Sequence, residues 1–402
     1  MTGGAPPVAT IPEALGDAVE RYGNDPFLHY HDRTLSFEAL DRESNGLAAG
    51  LRANGVGHGD TVGLLLYNSL EYVELYVAIA KIGATVVPID TRFEGETLRS
   101  VIETAGVETI VVDARTRPQY ESIRGSVSVR NEYLVDEAGE RGGYDPLDDV
   151  RGDTDESIRS AVTGGEPASI TFVQRDPANP PNGVVLPQYS YVNTAREIAE
   201  SRFDFSRADR LYTTLPLYSI FTFQVGIMAA LRAGAQIAID DPFDPAVYWD
   251  RVKTHDASIL LYLGRMLSVL NAQRSEDHHE NPAETVIGHG FGFGTDESLI
   301  REFERRFDVT VFEGYGTTET GTIAAFNGPG QRQIGSSGRP VSYAEVAIVD
   351  EDDWEVPRGE SGEIVVRPTH QHAMYQGYFD DPHRTVERRS NLWIHTGDIG
   401  YL

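Results

Sequence analysis

The stretch YGTTET, Tyr315–Thr320, decides how the whole chain is interpreted. It follows the apolar run Val309–Phe312 and leads into Gly321, a pattern that predicts a strand delivering a polar turn to the edge of a sheet. Within these residues lie an aromatic ring, hydroxyl groups and a carboxylate. Such groups suit a nucleotide base or sugar, a phosphate oxygen and a hard cation such as Mg²⁺. A plain polar turn between two strands fits the spacing equally well, because short motifs often match by chance.

Strand and helix patterns alternate upstream of this stretch. The apolar runs Asp60–Leu66 and Thr85–Ile89 flank Ser69–Lys81, whose apolar residues recur at helical spacing. The same alternation continues in the second half of the chain, beyond an acidic, Gly-rich segment at 137–167. Alternation of this kind favours parallel, doubly wound sheets. We therefore predict an α/β fold with two doubly wound αβ subdomains packed together.

The pattern changes at about residue 330. The short apolar runs Tyr343–Val349 and Gly362–Val366 are bounded by Gly, Pro and Asp, which favours a small β-barrel at the C-terminal end. The predicted domains are a first αβ subdomain at 1–160, a second αβ subdomain with the nucleotide motif at 161–330, and a small β-barrel subdomain at 331–402.

Composition excludes several classes of protein. The 402 residues include no cysteine, which rules out disulfides and thiolate catalysis. With 34 basic and 62 acidic residues the net charge is −28, which disfavours nucleic acid and anionic membranes as partners. No run approaches the roughly 18 apolar residues of a transmembrane helix. The sequence predicts a cytoplasmic protein with no membrane span.

The acidic residues are spread along the whole chain, and the only lysines are Lys81 and Lys253. This balance is typical of halophilic proteins and predicts a haloarchaeal source, although an acidic partner-binding face or ordinary sequence drift would also account for it. At low salt the carboxylates repel one another over about 10 Å or more, and molar salt screens that repulsion. We therefore expect the melting temperature to rise with KCl concentration.

Seven segments, in order along nearly the whole chain, resemble the AMP-forming adenylating enzymes, the family of acyl-CoA synthetases and acid–CoA ligases. They are KIGATVVPI (81–89), PLY (216–218), YGTTE (315–319), GSSGRP (335–340), GESGEI (359–364), GYFDDPHRT (377–385) and TGD (396–398). The C-terminal third is most similar to crotonobetaine/carnitine-CoA and medium-chain acyl-CoA ligases. The resemblance implies a ligase of fatty acid metabolism that binds ATP/AMP and Mg²⁺, with CoA as co-substrate and a small carboxylic acid as substrate.

The resemblance also implies roles for the matching positions. Tyr315 would stack on adenine, and Asp398 would accept hydrogen bonds from the ribose hydroxyls. Thr318 and Glu319 would be catalytic, Thr318 by binding the α-phosphate and Glu319 by holding Mg²⁺. The other nucleotide-binding positions would be Gly290, Phe291, Gly292, Gly316 and Thr317, and the acyl tunnel would be lined by Tyr218, Phe221 and Phe223. Core packing explains these last three aromatic residues nearly as well.

One segment departs from the family. Where the family has a Gly/Ser/Thr-rich phosphate loop ending in Pro-Lys-Gly, the stretch 173–183 reads VQRDPANPPNG, with Asn182 at the lysine position. Its three prolines have no N–H to donate to a phosphate. Asp176 adds a repelling charge that only Arg175 could offset. The family's His after the Pro-Leu-aromatic step is Ser219. We therefore expect weak activity.

The chain ends at Leu402, shortly after Asp398, so we expect the family's C-terminal lid domain and its adenylation lysine to be absent. Neither Lys81 nor Lys253 matches that lysine. An alternative follows: a non-catalytic relative that binds an acyl group or a nucleotide, or a subunit that needs a separate C-terminal domain.

Overall fold

The computed structural model describes residues 9–402 except 136–141, 153–157, 159–161, 177, 241, 274–280 and 291–294. Its strands are β1 (Pro26–Tyr30), β2 (Arg33–Ser36), β3 (Thr61–Leu65), β4 (Thr85–Pro88), β5 (Thr109–Asp113), β6 (Asn131–Val135), β7 (Asp145–Pro146), β8 (Pro167–Val173), β9 (Asn182–Pro187), β10 (Arg210–Thr213), β11 (Gln236–Ile239), β12 (Ile259–Leu263), β13 (Thr285–His289), β14 (Thr310–Tyr315), β15 (Ala325–Phe326), β16 (Arg339–Pro340), β17 (Ala344–Val349), β18 (Gly362–Pro368), β19 (Gly377–Tyr378) and β20 (Ile394–Gly400).

The α-helices are α1 (Ile11–Tyr22), α2 (Phe37–Ala53), α3 (Leu70–Ile82), α4 (Gly95–Thr104), α5 (Arg117–Glu121), α6 (Leu147–Val150), α7 (Gln188–Arg196), α8 (Ala229–Ala233), α9 (Tyr248–Thr254), α10 (Met266–Asn271), α11 (Glu297–Phe307) and α12 (Pro382–Glu387). Two π-helical segments, Glu197–Arg202 and Thr222–Met228, extend α7 and precede α8. None of these described helices is long and apolar enough to cross a bilayer.

Two large sheets dominate the fold. One has eight strands in the order β19-β9-β8-β4-β3-β5-β6-β7, and the other has nine in the order β16-β15-β14-β13-β12-β10-β11-β1-β2. The strands β10 to β14 pair in parallel, as do β3 to β6. Parallel strands joined by helices confirm the predicted α/β fold.

Both sheets contain strands from either side of residue 160. The hairpin β1–β2 pairs with β11 in the nine-stranded sheet, whereas β8, β9 and β19 extend the eight-stranded sheet. The sheets therefore share the chain in an interleaved way, and the predicted boundary at residue 160 stays a prediction.

The predicted C-terminal β-barrel is not confirmed. The strands β17, β18 and β20 form a three-stranded antiparallel sheet with β18 in the centre. Because neighbours along a strand face opposite sides, Val366 joins the main core while Val365 packs in a small cluster with Ala347 and Val349. Three strands are in any case few for closure into a barrel.

The buried helix α3 anchors the first large sheet. The Ser69 hydroxyl caps its start by accepting a hydrogen bond from the Tyr72 N–H at 3.1 Å, and Gly83 ends it in a left-handed conformation. Near its end the buried Lys81 ammonium contacts the Asp41 carboxylate at 2.6 Å and the Asn45 amide oxygen at 2.7 Å. Those contacts give Lys81 a structural role.

Candidate active site

The stretch 315–320 leaves the carboxyl end of β14 and folds back on itself. The Thr317 N–H donates to the Thr320 hydroxyl at 2.9 Å, and the Thr322 N–H donates to the Thr317 carbonyl at 3.1 Å. A Cβ at Gly316 would collide with the Thr322 backbone. Gly316 is therefore required by this close approach of the chain to itself.

Tyr315 and Asp398 are in contact at the carboxyl end of β14, although they lie far apart in the sequence. The Tyr315 hydroxyl donates to Asp398 Oδ2 at 2.8 Å. Burial, with the neighbouring Asp398 charge, raises the pKa of Tyr315 well above its ordinary value, so the phenol stays a donor at neutral pH. Since Asp398 lies on β20, this contact joins the nucleotide motif to the small C-terminal sheet.

Glu319 is the buried carboxylate of the site, with 4% of its surface exposed. Its Oε1 accepts from the Tyr378 hydroxyl at 2.7 Å and from Arg175 Nη2 at 3.1 Å. Burial would raise the pKa of Glu319, but the Arg175 charge and the Tyr378 hydroxyl outweigh it and hold that pKa below its ordinary value. Glu319 is thus an ionised, partly neutralised group.

Arg175 reaches this site from the loop 173–183, which is called the altered loop because its sequence departs from the family's phosphate loop. Besides its ion pair with Glu319, its Nη1 donates to the Thr396 carbonyl at 2.6 Å. The side chain therefore bridges the turn after β14 and the Thr396–Asp398 motif on β20. A cation from the loop lies directly beside the predicted metal ligand.

The altered loop connects β8 to β9 as an antiparallel hairpin in which Val173 pairs with Asn182. The Asp176 carboxylate accepts from the Ala178 N–H at 2.9 Å and from the Asn179 side-chain amide at 2.8 Å. The Asn179 N–H donates to the Asp176 carbonyl at 3.0 Å. These contacts occupy loop donors that a phosphate cradle would need.

Glu319 Oε2 offers a test of the fit to Mg²⁺. This oxygen is buried and has no hydrogen-bond partner among the described residues. Among the same residues no group of three or more His, Cys, Asp or Glu side chains is placed so that it could hold a metal ion. Mg²⁺ in nucleotide sites commonly takes one or two carboxylates together with phosphate oxygens and water. The unpaired oxygen of Glu319 fits that mode, with Arg175 as a competing cation on the other oxygen.

The aromatic residues predicted for the acyl tunnel lie in different surroundings. Phe223 stacks on Tyr76 with ring centroids 3.8 Å apart and is 1% exposed, as a core residue is. Phe221 packs its ring edge-on with His289 at 5.1 Å. Tyr218 is half-buried, and burial raises its pKa to about 12.

Gly290 lies between β13 and the end of the described segment, while Phe291 and Gly292 fall outside the described residues. The Gly290 N–H donates to Glu313 Oε1 at 3.1 Å, and a Cβ there would collide with Thr295. Only glycine fits at that position.

Three groups at the site were not assigned from the sequence: the Tyr378 hydroxyl, the Thr396 carbonyl and the His289 ring. Tyr378 belongs to the segment GYFDDPHRT, which pointed to the family without a role for each residue. His289 immediately precedes Gly290, and that position was its only signal. Burial lowers the pKa of His289 to about 4, so its ring is neutral at physiological pH.

Comparison with known proteins finds a matching family and related enzymes. The family model described as AMP-binding enzyme matches residues 15–177 and 179–379. Long-chain fatty acid transport protein 2 of Rattus norvegicus is 25% identical over 98% of this chain and 66% of its own length. The crotonobetaine/carnitine–CoA ligase of Citrobacter koseri is 26% identical over 96% of this chain and 76% of its own length.

The same fold occurs in a solved structure. The crystal structure of the anthranilate CoA ligase AuaEII in complex with anthranoyl-AMP superposes with a TM-score of 0.90, at 21% identity, over 99% of this chain and 76% of that one. The present chain thus spans 66–76% of these relatives' lengths.

Proposed function

Because the chain belongs to the AMP-binding enzyme family, we propose that it is an acid–CoA ligase. In the proposed reaction a substrate carboxylate attacks the α-phosphorus of ATP, the bond to the β-phosphate breaks, and pyrophosphate leaves. The CoA thiol then attacks the acyl-adenylate and releases AMP. Such phosphoryl chemistry depends on positioning and charge neutralisation more than on covalent catalysis.

The observation that carries the proposal is the convergence of Tyr315, Glu319 and Asp398, which the Tyr315–Asp398 contact and the Arg175 side chain bring together from β14, the turn after it and β20. Asp398 is fixed by the Tyr315 hydroxyl at 2.8 Å through one oxygen, which leaves its other oxygen for a ribose hydroxyl. Thr318, in the same turn, is the proposed ligand of the α-phosphate. These residues would bind AMP as a unit.

Glu319 is the proposed Mg²⁺ ligand, through its unpaired Oε2. When bound, Mg²⁺ would neutralise phosphate charge and favour departure of pyrophosphate. This chain's own contribution is to keep Glu319 ionised, which Arg175 and Tyr378 do by lowering its pKa.

For the acyl group we propose a site near Phe221 and Tyr218. The neutral His289 ring adds no charge beside Phe221, which favours an uncharged acyl chain such as that of a fatty acid at that end, whereas Asp90 and Arg92 lie near Tyr218. Phe223 lies deeper, against Tyr76, and would support the wall from behind.

Two further properties are proposed from composition. The net charge of −28 and the two lysines support adaptation to molar salt in a haloarchaeal cytoplasm. Calorimetric melting in KCl from about 0.1 M upward tests this, because screening should raise the melting temperature steeply. A flat series would contradict the proposed adaptation.

Two measurements on the folded protein in high salt test the ligase proposal. Calorimetry with AMP should show binding, and carboxylate-dependent exchange of pyrophosphate into ATP should be detectable. Asp398→Asn should weaken AMP binding about tenfold, since a charge-assisted hydrogen bond becomes neutral. Glu345→Gln is the matched control, because that exposed carboxylate on β17 pairs with Arg367.

The outcomes separate the two candidate functions. Failure of the folded protein to bind either AMP or ATP refutes the ligase proposal. Binding of AMP without any exchange favours the non-catalytic alternative, which the comparisons do not support.

A further inference from the structure

A cavity of about 350 Å³ lies between the altered loop and the helix α12. Its charged lining consists of Arg175 and Asp176 from the loop and Arg384 from α12, and Asn179 and Asn182 add amide groups. In a chain of net charge −28, two arginines facing one cavity form a local exception. A cationic cavity in an acidic protein favours an anionic ligand.

Arg384 has a hydrogen-bond donor that no described protein group satisfies. Its Nε is buried and has no hydrogen-bond partner among the described residues. The guanidinium lies over the Tyr378 ring at 5.2 Å, and the Tyr378 hydroxyl in turn contacts Glu319 at 2.7 Å. A buried N–H without a partner is costly unless a ligand or water satisfies it.

More positive charge lies close to Arg175. A Cβ built at Gly397 would be 3.3 Å from Arg388 Nη1 and 3.5 Å from Arg175 Nη1, so these two cations are neighbours. Neighbouring guanidinium groups repel one another, and a polyanion between or beside them relieves that repulsion.

At five loop positions the backbone has no N–H group free to bind an anion. Pro177, Pro180 and Pro181 have no N–H, and the N–H groups of Ala178 and Asn179 already donate to Asp176. This loss of backbone donors favours binding of an anion through side chains. Guanidinium groups suit phosphate, because their N–H groups match two phosphate oxygens at once.

We propose that Arg175 and Arg384 bind the outer phosphates of ATP, and the pyrophosphate released from it, in place of a backbone cradle. This inference rests on the proposed function, since it assigns the phosphate end of the same nucleotide. Asp176 weakens the site without abolishing it, because both of its carboxylate oxygens accept hydrogen bonds from within the loop.

Pyrophosphate alone is the probe, titrated into the folded full chain in high salt. Wild-type protein should bind it, and Arg384→Gln and Arg175→Gln should each weaken binding about tenfold or more. Arg301→Gln is the matched control, because that exposed arginine pairs with Glu297 on α11 and should leave binding within about twofold. Unchanged pyrophosphate affinity in both site variants would overturn the proposal.

A variant that is expected to bind pyrophosphate more tightly distinguishes an effect on the site from a loss of folding. Asp176→Asn removes a carboxylate from the cavity but keeps an oxygen that can accept from the Ala178 N–H. Its pyrophosphate affinity should rise about threefold, and an unchanged or weaker affinity counts against the arginine site. AMP binding by wild-type protein without pyrophosphate binding refutes this site and leaves the ligase proposal standing. Pyrophosphate binding without AMP or ATP binding supports the arginine site and refutes the ligase proposal.

Discussion

Replacing Arg175 by glutamine should leave Glu319 as a buried carboxylate without an ion-pair partner. In the wild-type protein that carboxylate is 4% exposed and faces the guanidinium at 3.1 Å. Removing one partner of a fully buried ion pair costs about 3–5 kcal/mol. Because the Arg175 side chain is 35% exposed, solvent screens the pair, and the expected loss is about 1–3 kcal/mol at pH 7.

The loss should depend on pH in a defined direction. In the wild-type protein the pKa of Glu319 lies below 4.5, so its contribution is present above that pH and is lost as pH falls through the folded pKa. In Arg175→Gln the guanidinium no longer lowers the pKa of Glu319, so burial raises that pKa in the folded protein. The variant is then penalised at neutral pH, where the carboxylate must stay charged, and the penalty disappears once both proteins are protonated.

Urea unfolding in molar KCl, from pH 4 to pH 8, measures this difference. We expect the stability gap between wild type and Arg175→Gln to be largest at pH 7–8 and to shrink towards pH 4. The exposed Arg301→Gln variant should change stability by less than about 1 kcal/mol at every pH. A gap that is equal at pH 4 and pH 8 would show that Arg175 stabilises the fold by packing and not by its charge.

Three other predictions follow from single contacts. Tyr315→Phe, which removes the 2.8 Å hydrogen bond to Asp398, should cost about 1 kcal/mol and weaken AMP binding, as measured by melting and calorimetry; unchanged AMP affinity would contradict the proposed pocket. Because the folded pKa of His289 is about 4 and its ordinary value is 6.5, stability should rise with pH between those values, by up to about 3 kcal/mol. In urea unfolding at several pH values, the stability of His289→Leu should not show this rise with pH. A pH profile identical to that of the wild type would contradict the assignment of the rise to His289. Phe223→Ala, which empties the stack on Tyr76, should cost about 3–5 kcal/mol; a loss below 1 kcal/mol in urea unfolding would mean that Phe223 is not a core residue.

The alternation of strands and helices could be predicted because it depends on local pattern. The predicted helix Ser69–Lys81 corresponds to α3, Leu70–Ile82, since a capping serine and a left-handed glycine mark its ends. The strand β9 was not predicted, because its first residues, Asn182 and Gly183, belong to the proline-rich stretch 173–183. Its strand character comes from pairing with β8, which local sequence does not reveal.

The site was only partly predictable for a related reason. The positions of Tyr315, Glu319 and Asp398 followed from motifs, but motifs carry no information on which distant side chain each one contacts. Arg175 lies 144 residues before Glu319 and Tyr378 lies 59 residues after it. Only the folded arrangement of β8, β14 and β19 brings these three side chains together.

The interleaving of the two large sheets affects how the molecule can be divided. The hairpin β1–β2 is held by β11, and β8 is held by β4. A chain cut near residue 160 would leave each fragment with exposed sheet edges that only the other fragment can cover. Co-expressed halves should therefore reassociate into one complex, whereas either half made alone should aggregate.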